Sequence, residues 1–258
     1  MIKFFREIRQ NLLNQGKTTK YIKYAIGEII LVVVGILIAL YLNNQQEAYT
    51  IQKRQENYLR QIRGEMINNL KSIEIEMDEL SQKIENAYKV LQIMNEDSLI
   101  TSLFEPDVSE LLYELQKTDN ILFYENGALN QIIYSGGLKE IKNDSISALL
   151  ASWEGKINRV RLQESQVAEA QENLETFLYK NGDFRSLSDD LGYSRKAKMK
   201  LSNNRIGNKS LLRSKEYENY VFQLIAYGAS LRDSEYADFK NEMQSLLALI
   251  DQELNDKK

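Results

Sequence analysis

The chain has 258 residues, 37 acidic and 33 basic, with a net charge of −4 and neither cysteine nor histidine. That composition excludes disulfides, thiolate or imidazole metal sites, and the Ser-His-Asp and Cys-His nucleophiles. The balanced, finely mixed charge offers no global field for nucleic acid, and one proline with twelve glycines fits long helices.

The first 23 residues form a basic tail: Lys3, Arg6, Arg9, Lys17, Lys20 and Lys23 stand against the single acid Glu7. On a helical wheel Phe4, Phe5, Ile8 and Leu12 cluster on one side, with Lys3, Arg6 and Arg9 beside them. Leu13 falls off the stripe, but the layout is that of a helix lying on an anionic leaflet.

Residues 24–42 are the predicted membrane span. Ile29 to Leu42 is apolar on every face, unlike the one-sided stripe of a soluble helix. Extending the run back to Tyr24 gives about 28 Å of helix, close to a hydrocarbon core of roughly 30 Å. Glu28 lies one turn in, where its side chain can reach the interface or stay protonated. Tyr24 and Tyr41 sit near the two ends, at headgroup level. Gly35 and Ala39 make one small-xxx-small pair, the minimal signal for helix pairing. The flanks set the orientation. Basic residues precede the span, whereas Asn43 to Gln46 follow it and no cation appears before Lys53. The positive-inside rule then predicts a cytoplasmic tail, an inner-membrane span and an extracytoplasmic (periplasmic) region from residue 43 to 258. No A-x-A site follows the apolar run, so an uncleaved anchor is expected rather than a signal peptide.

That outer region reads as all-α. A polar helix is predicted from about Glu47 to Glu96, its stripe running Leu59, Ile62, Met66, Leu70, Ile73, Met77, Leu80, Ile84, Ala87, Leu91 and Met94. The extra four-residue step at Leu70 reads as a stutter in a heptad pattern. A loop is expected over 95–105, then helices over 107–117, opened by Pro106, and over 126–134, stopped by Gly136-Gly137. Asn143 or Asp144 caps a long helix to Lys180, ended by Asn181-Gly182. Residues 183–210 read as irregular, and Ser214 caps a final helix to about Asn255. These elements can close as a long-helix antiparallel bundle or stretch into a coiled-coil hairpin.

MIKFFREIRQNLL followed by KYIKYAIGEIILVVVGILIALYLNN resembles the opening of an uncharacterised bacterial family of single-span membrane proteins with a domain of unknown function. Ser135 to Glu154, SGGLKEIKNDSISALLASWE, and the closing helix from Ser214 to Leu254 are similar to further blocks of that family. The chain departs from it after the span, carrying Asn43-Asn44-Gln45-Gln46-Glu47 in place of an N-N-W-N-E run. The resemblance implies membrane location and a helical extracytoplasmic domain, and no activity.

Two features carry chemistry. Arg195, Lys196, Lys198, Lys200, Arg205, Lys209, Arg213 and Lys215 fall in one stretch without an acid. They form either a docking site for an anionic partner (an envelope polymer, lipid headgroups or an acidic protein) or a solvated loop balancing acidic helices. Tyr124, Tyr134 and Trp153 flank the Gly136-Gly137 turn, either as packing aromatics or as the wall of a ligand pocket. No serine precedes a lysine by three places, and the glycines make no phosphate loop. Acid runs such as Glu74, Glu76, Asp78 and Glu79 read as solvated helix faces. No catalytic residue, cofactor or metal site is therefore expected. The expected role is a membrane-anchored interaction or scaffold protein, with membrane lipid and a second copy or an envelope protein as partners. The rivals are a small-ligand sensor acting through a partner and, behind it, an envelope hydrolase using an acid pair.

Overall fold

The computed structural model describes Glu7 and residues 18–256, so the predicted amphipathic face of the tail, from Lys3 to Leu12, lies outside the described residues. Every regular element among the described residues is helical. The chain separates into two compact units, one up to Asn57 and one from Tyr58 onward.

Helix α1, Thr18–Met94, is 77 residues long and runs through the predicted span without a break. It is the candidate membrane helix among the described residues, with a mean hydropathy of 2.7 over its most apolar stretch and none of that stretch buried. Ile29, Leu31, Leu37 and Tyr41 are all exposed. A core helix of a water-soluble protein covers such side chains, and this one leaves them uncovered.

The second unit begins with the rest of α1. Its buried positions are Leu59, Ile62, Met66, Asn69, Ile73, Glu76, Leu80, Lys83, Ile84, Ala87 and Val90. Steps of three and four alternate from Leu59 to Lys83, with Asn69 rather than Leu70 buried, so the stutter predicted at Leu70 is absent; Lys83 and Ile84 are then buried side by side. The expectation failed because it counted only apolar residues. Asn69, Glu76 and Lys83 occupy one heptad position seven residues apart, while Leu70, Met77 and Leu91 lie at the edge of the stripe.

Where a loop was predicted over 95–105, helix α2, Asp97–Ser102, forms instead, anchored by buried Ile100 and by the Arg213–Asp97 ion pair at 2.7 Å. Helix α3 is Glu105–Glu114, with Pro106 in its first turn, where a missing N–H costs nothing. Helix α4 is Gly127–Tyr134, followed by Gly136 at φ +72° and a 3₁₀ turn, Gly137–Glu140. Helix α5, Asp144–Asn181, is capped by the Asn143 side chain, which accepts from the N–H groups of Ser145 and Ile146.

The stretch predicted as irregular holds helices α6, Phe184–Asp190, and α7, Tyr193–Lys196, and a 3₁₀ turn, Lys209–Arg213. Asp183 caps α6 by accepting from the Ser186 N–H. Ser214 caps helix α8, Lys215–Ser230, accepting from the Tyr217 N–H. A π-helical turn, Leu231–Tyr236, joins α8 directly to α9, Ala237–Asn255. Along this closing segment the buried residues step by three or four, apart from the adjacent pair Leu224 and Ile225 and a step of five from Leu231 to Tyr236. The π turn absorbs that extra residue and keeps the core face in register.

Contacts run in opposite sequence order between the closing segment and both long helices. Arg63 meets Asp251, Glu74 meets Lys240, and Ser81 meets Arg232. On the other side Asn143 meets Glu253, Lys156 meets Glu242, and Asn173 meets Gln223. The closing segment is thus antiparallel to its neighbours, and the core runs along the three.

Candidate functional site

Of the predicted span residues, Gly35, Ala39 and Tyr41 are exposed, while Tyr24 and Glu28 are partly covered. A Cβ placed on Gly35 would meet nothing within 4 Å, so the small-residue pair lies on an open face.

The eight predicted basic residues do not form one cluster. Arg205 is paired with Asp190, Arg213 with Asp97 and Lys215 with Glu218. The Lys209 ammonium donates to the Thr101 carbonyl at 3.4 Å. Arg195, Lys196, Lys198 and Lys200 remain exposed, with the Lys196 ammonium 5.5 Å from the centroid of the Tyr193 ring. Sequence alone could not sort the two sets, because the neutralising carboxylates belong to α2, α6 and α8.

The loop carrying these residues is fixed from beneath. The Asp189 carboxylate accepts from the Ser202 N–H at 2.7 Å, and Asp183 accepts from the Ile206 N–H at 3.0 Å. The Ser194 hydroxyl, then the Ser202 N–H, hold the Asp189 carboxyl below its ordinary value. Glu105 accepts from the Asn208 N–H at 2.7 Å, across a Gly207 at φ +80°. A Cβ there would lie 2.4 Å from the Glu105 carboxyl carbon, so any side chain would push Glu105 off this contact and strain the backbone.

Tyr124, Tyr134 and Trp153 do come together. They line one cleft of about 320 Å³ with Asn126, Leu129, Asn130, Ile133, Glu154, Ile157 and Asn158. Trp153 is buried and its indole N–H donates to the Tyr124 hydroxyl. Both rings pack on Phe239, at centroid distances of 5.4 and 5.7 Å. Burial, the largest influence, drives the Tyr124 phenol well above its usual range. Tyr134 is 85 % exposed at the rim. Two of the aromatics are thus packing residues, and the third is a free platform.

The polar row of α1 was missed by the sequence reading, which counted its acids as solvated. Asn69 makes a reciprocal pair with the backbone of Glu125, donating to its carbonyl and accepting from its N–H, each at 2.8 Å. The Lys83 ammonium donates to the Thr118 carbonyl, which also accepts from the Gln171 amide at 3.0 Å. On α5, buried Glu164 accepts from the Leu122 N–H and the Tyr236 hydroxyl, both at 2.8 Å, and from Arg161 at 2.7 Å. One carboxylate therefore ties α5, the segment before α4 and the π turn together. Desolvation first, then repulsion from Glu79 and Glu164, raises the Glu76 carboxyl to about 7, against the pull of Lys83. Desolvation lowers the Lys83 ammonium to about 8. The only sequence signal for this row is its spacing of seven.

No family model, curated protein or solved structure matches the chain. Among the described residues the arrangement is all-helical, with one candidate membrane helix.

Proposed function

We propose that this chain is a membrane-anchored helical interaction or scaffold protein of the bacterial cell envelope, without enzymatic activity. Its tail lies in the cytoplasm, residues 24–42 span the inner membrane, and the second unit works in the periplasm as an antiparallel helical bundle. The observation that carries this reading is the wholly uncovered apolar stretch of α1, in a helix that runs on without a break and carries a buried stripe from Leu59. The antiparallel pairs from Arg63–Asp251 to Asn173–Gln223 favour the bundle over an extended hairpin. Its partners are membrane lipid, a second copy through Gly35 and Ala39, or another envelope protein, and not nucleic acid. The resemblance of the N-terminal blocks to a single-span bacterial family supports the same location.

The test begins with topology. The chain has no cysteine, so Ser152→Cys, at an exposed position, gives a single label site. A membrane-impermeant maleimide labels it in intact spheroplasts if the second unit is outside, and only after lysis if the orientation is reversed. Cross-linking of the full chain in cells is then expected to give one discrete adduct. A ladder of unrelated adducts contradicts the scaffold reading.

The second reading, a small-ligand sensor, is favoured by the aromatic cleft. There Asn126, Asn130 and Asn158 converge with the free Tyr134 ring over an apolar floor. A ligand-dependent rise in melting temperature that Tyr134→Ala abolishes supports it.

A further inference from the structure

We infer that the loop from Arg195 to Ile206 docks on an anionic lipid surface, a contact separate from the membrane span and independent of the scaffold reading. Four cations carry the charge. Arg195, Lys196, Lys198 and Lys200 are exposed and have no carboxylate partner among the described residues, whereas the other basic residues of the stretch are paired or bound to a carbonyl. Large apolar side chains stand among them. Met199 and Leu201 are half exposed, and Ile206 is 80 % exposed. Single exposed apolar residues are ordinary on a protein surface. Three within one short loop, interleaved with unpaired cations, match the boundary between headgroups and acyl chains.

The loop displays these groups in a fixed conformation. Asp183, Asp189 and Glu105 hold its backbone at Ile206, Ser202 and Asn208. Lys198 ends helix α7 at φ +55°, a left-handed position where glycine is strongly preferred. The Met199 N–H reaches the Ser194 carbonyl and the Lys198 N–H the Arg195 carbonyl, which completes the Schellman pattern around a lysine. Holding a lysine there is unfavourable for the backbone and places its charge outside the fold.

The chemistry favours lipid over an acidic protein. The exposed apolar side chains, Met199, Leu201 and Ile206, are separated along the loop by cations and polar residues rather than grouped in one run. Three of the four free cations are lysines, point charges that suit mobile phosphates better than the planar, forked recognition of fixed carboxylates.

The full chain in nanodiscs of neutral phosphatidylcholine is mixed with phosphatidylglycerol-rich vesicles or with phosphatidylcholine vesicles, and floated on a gradient. It is expected to float with the anionic vesicles alone. Replacing Lys196, Lys198 and Lys200 by Gln weakens binding on the order of a hundredfold, about fivefold per charge. Replacing Met199, Leu201 and Ile206 by Ser weakens it about tenfold or more. Changing the exposed Lys71, Lys139 and Lys142 to Gln leaves it unchanged, and circular dichroism checks that every variant is folded. The inference is overturned by absence of binding, by equal binding to both vesicles, or by equal loss in the Lys71, Lys139 and Lys142 variant. Loss in the lysine variant with none in the serine variant also overturns it, and assigns the loop to a soluble polyanion or an acidic protein.

Discussion

Two stretches of α1 obey the same backbone rules and opposite side-chain rules. Residues 29–42 are apolar around the whole circumference and uncovered, while residues 58–94 are polar outside, with a buried stripe in which alternate positions include Asn69, Glu76 and Lys83. The difference matches two media, hydrocarbon for a stretch able to cross a membrane and water for the other. A helix in hydrocarbon has its backbone satisfied internally and needs only apolar side chains. A helix packed in a water-soluble core can carry polar groups inside when other elements bring partners to them.

The sharpest way to break the comparison is to give the first stretch a charge. Val33→Arg with Leu37→Arg opposes insertion by about 6 kcal/mol, at about 3 kcal/mol per arginine. The doubly substituted chain should move from the membrane pellet to the soluble fraction under alkaline carbonate extraction. Retention in the pellet would sink the span.

The buried polar stripe is tested next through its clamp. Glu164→Leu removes the acceptor for Leu122, Tyr236 and Arg161 together, leaving a buried N–H and hydroxyl unpaired. The expected loss is about 3 kcal/mol, read as an earlier urea midpoint. An unchanged midpoint would mean that the π turn and the Leu122 segment are held by packing alone.

A smaller effect is expected from pH. The Glu76 carboxyl titrates near 7 in the folded chain and near 4.5 when unfolded, so the folded state binds more protons between those values. Stability should therefore fall as pH rises from about 4.5 to about 7, by about 1–2 kcal/mol after allowance for solvent screening. Lys83 acts in the other window. Its lowered value near 8 means that stability recovers as pH rises from about 8 toward 10.5. Glu76→Gln should flatten the acid-side slope, and thermal melts across pH measure it. A slope that survives the substitution places the titrating group elsewhere.

The smallest effect belongs to the uncovered face. Gly35→Leu adds a side chain where a Cβ meets nothing, so the melting of the second unit should stay within about 0.5 kcal/mol of the parent. A larger drop would show that this face is covered by the chain itself.

Local signals were legible wherever the responsible groups are neighbours in sequence. Asn143 and Ser214 cap their helices by reaching N–H groups two or three residues on. Gly136 takes the left-handed turn expected of it. Helices α2 and α6 escaped the reading because their short runs are held by distant groups, Arg213 on Asp97 and Arg205 on Asp190. The aromatic cleft was half legible. Its three rings were picked out together, but their division into packed Trp153 and Tyr124 and free Tyr134 depends on Phe239.

By itself the sequence determined the all-helical character, the helix stops and the one stretch able to cross a membrane. Propensity, capping and hydropathy act over a few residues and need no partner. Tertiary structure alone decided which polar residues are interior and which cations are free. Lys83 finds its carbonyl 35 residues away, and Asn69 finds its backbone partner 56 residues away. A polar side chain is stable inside only when its hydrogen bonds are completed there, and chain topology, not local pattern, brings those partners within reach.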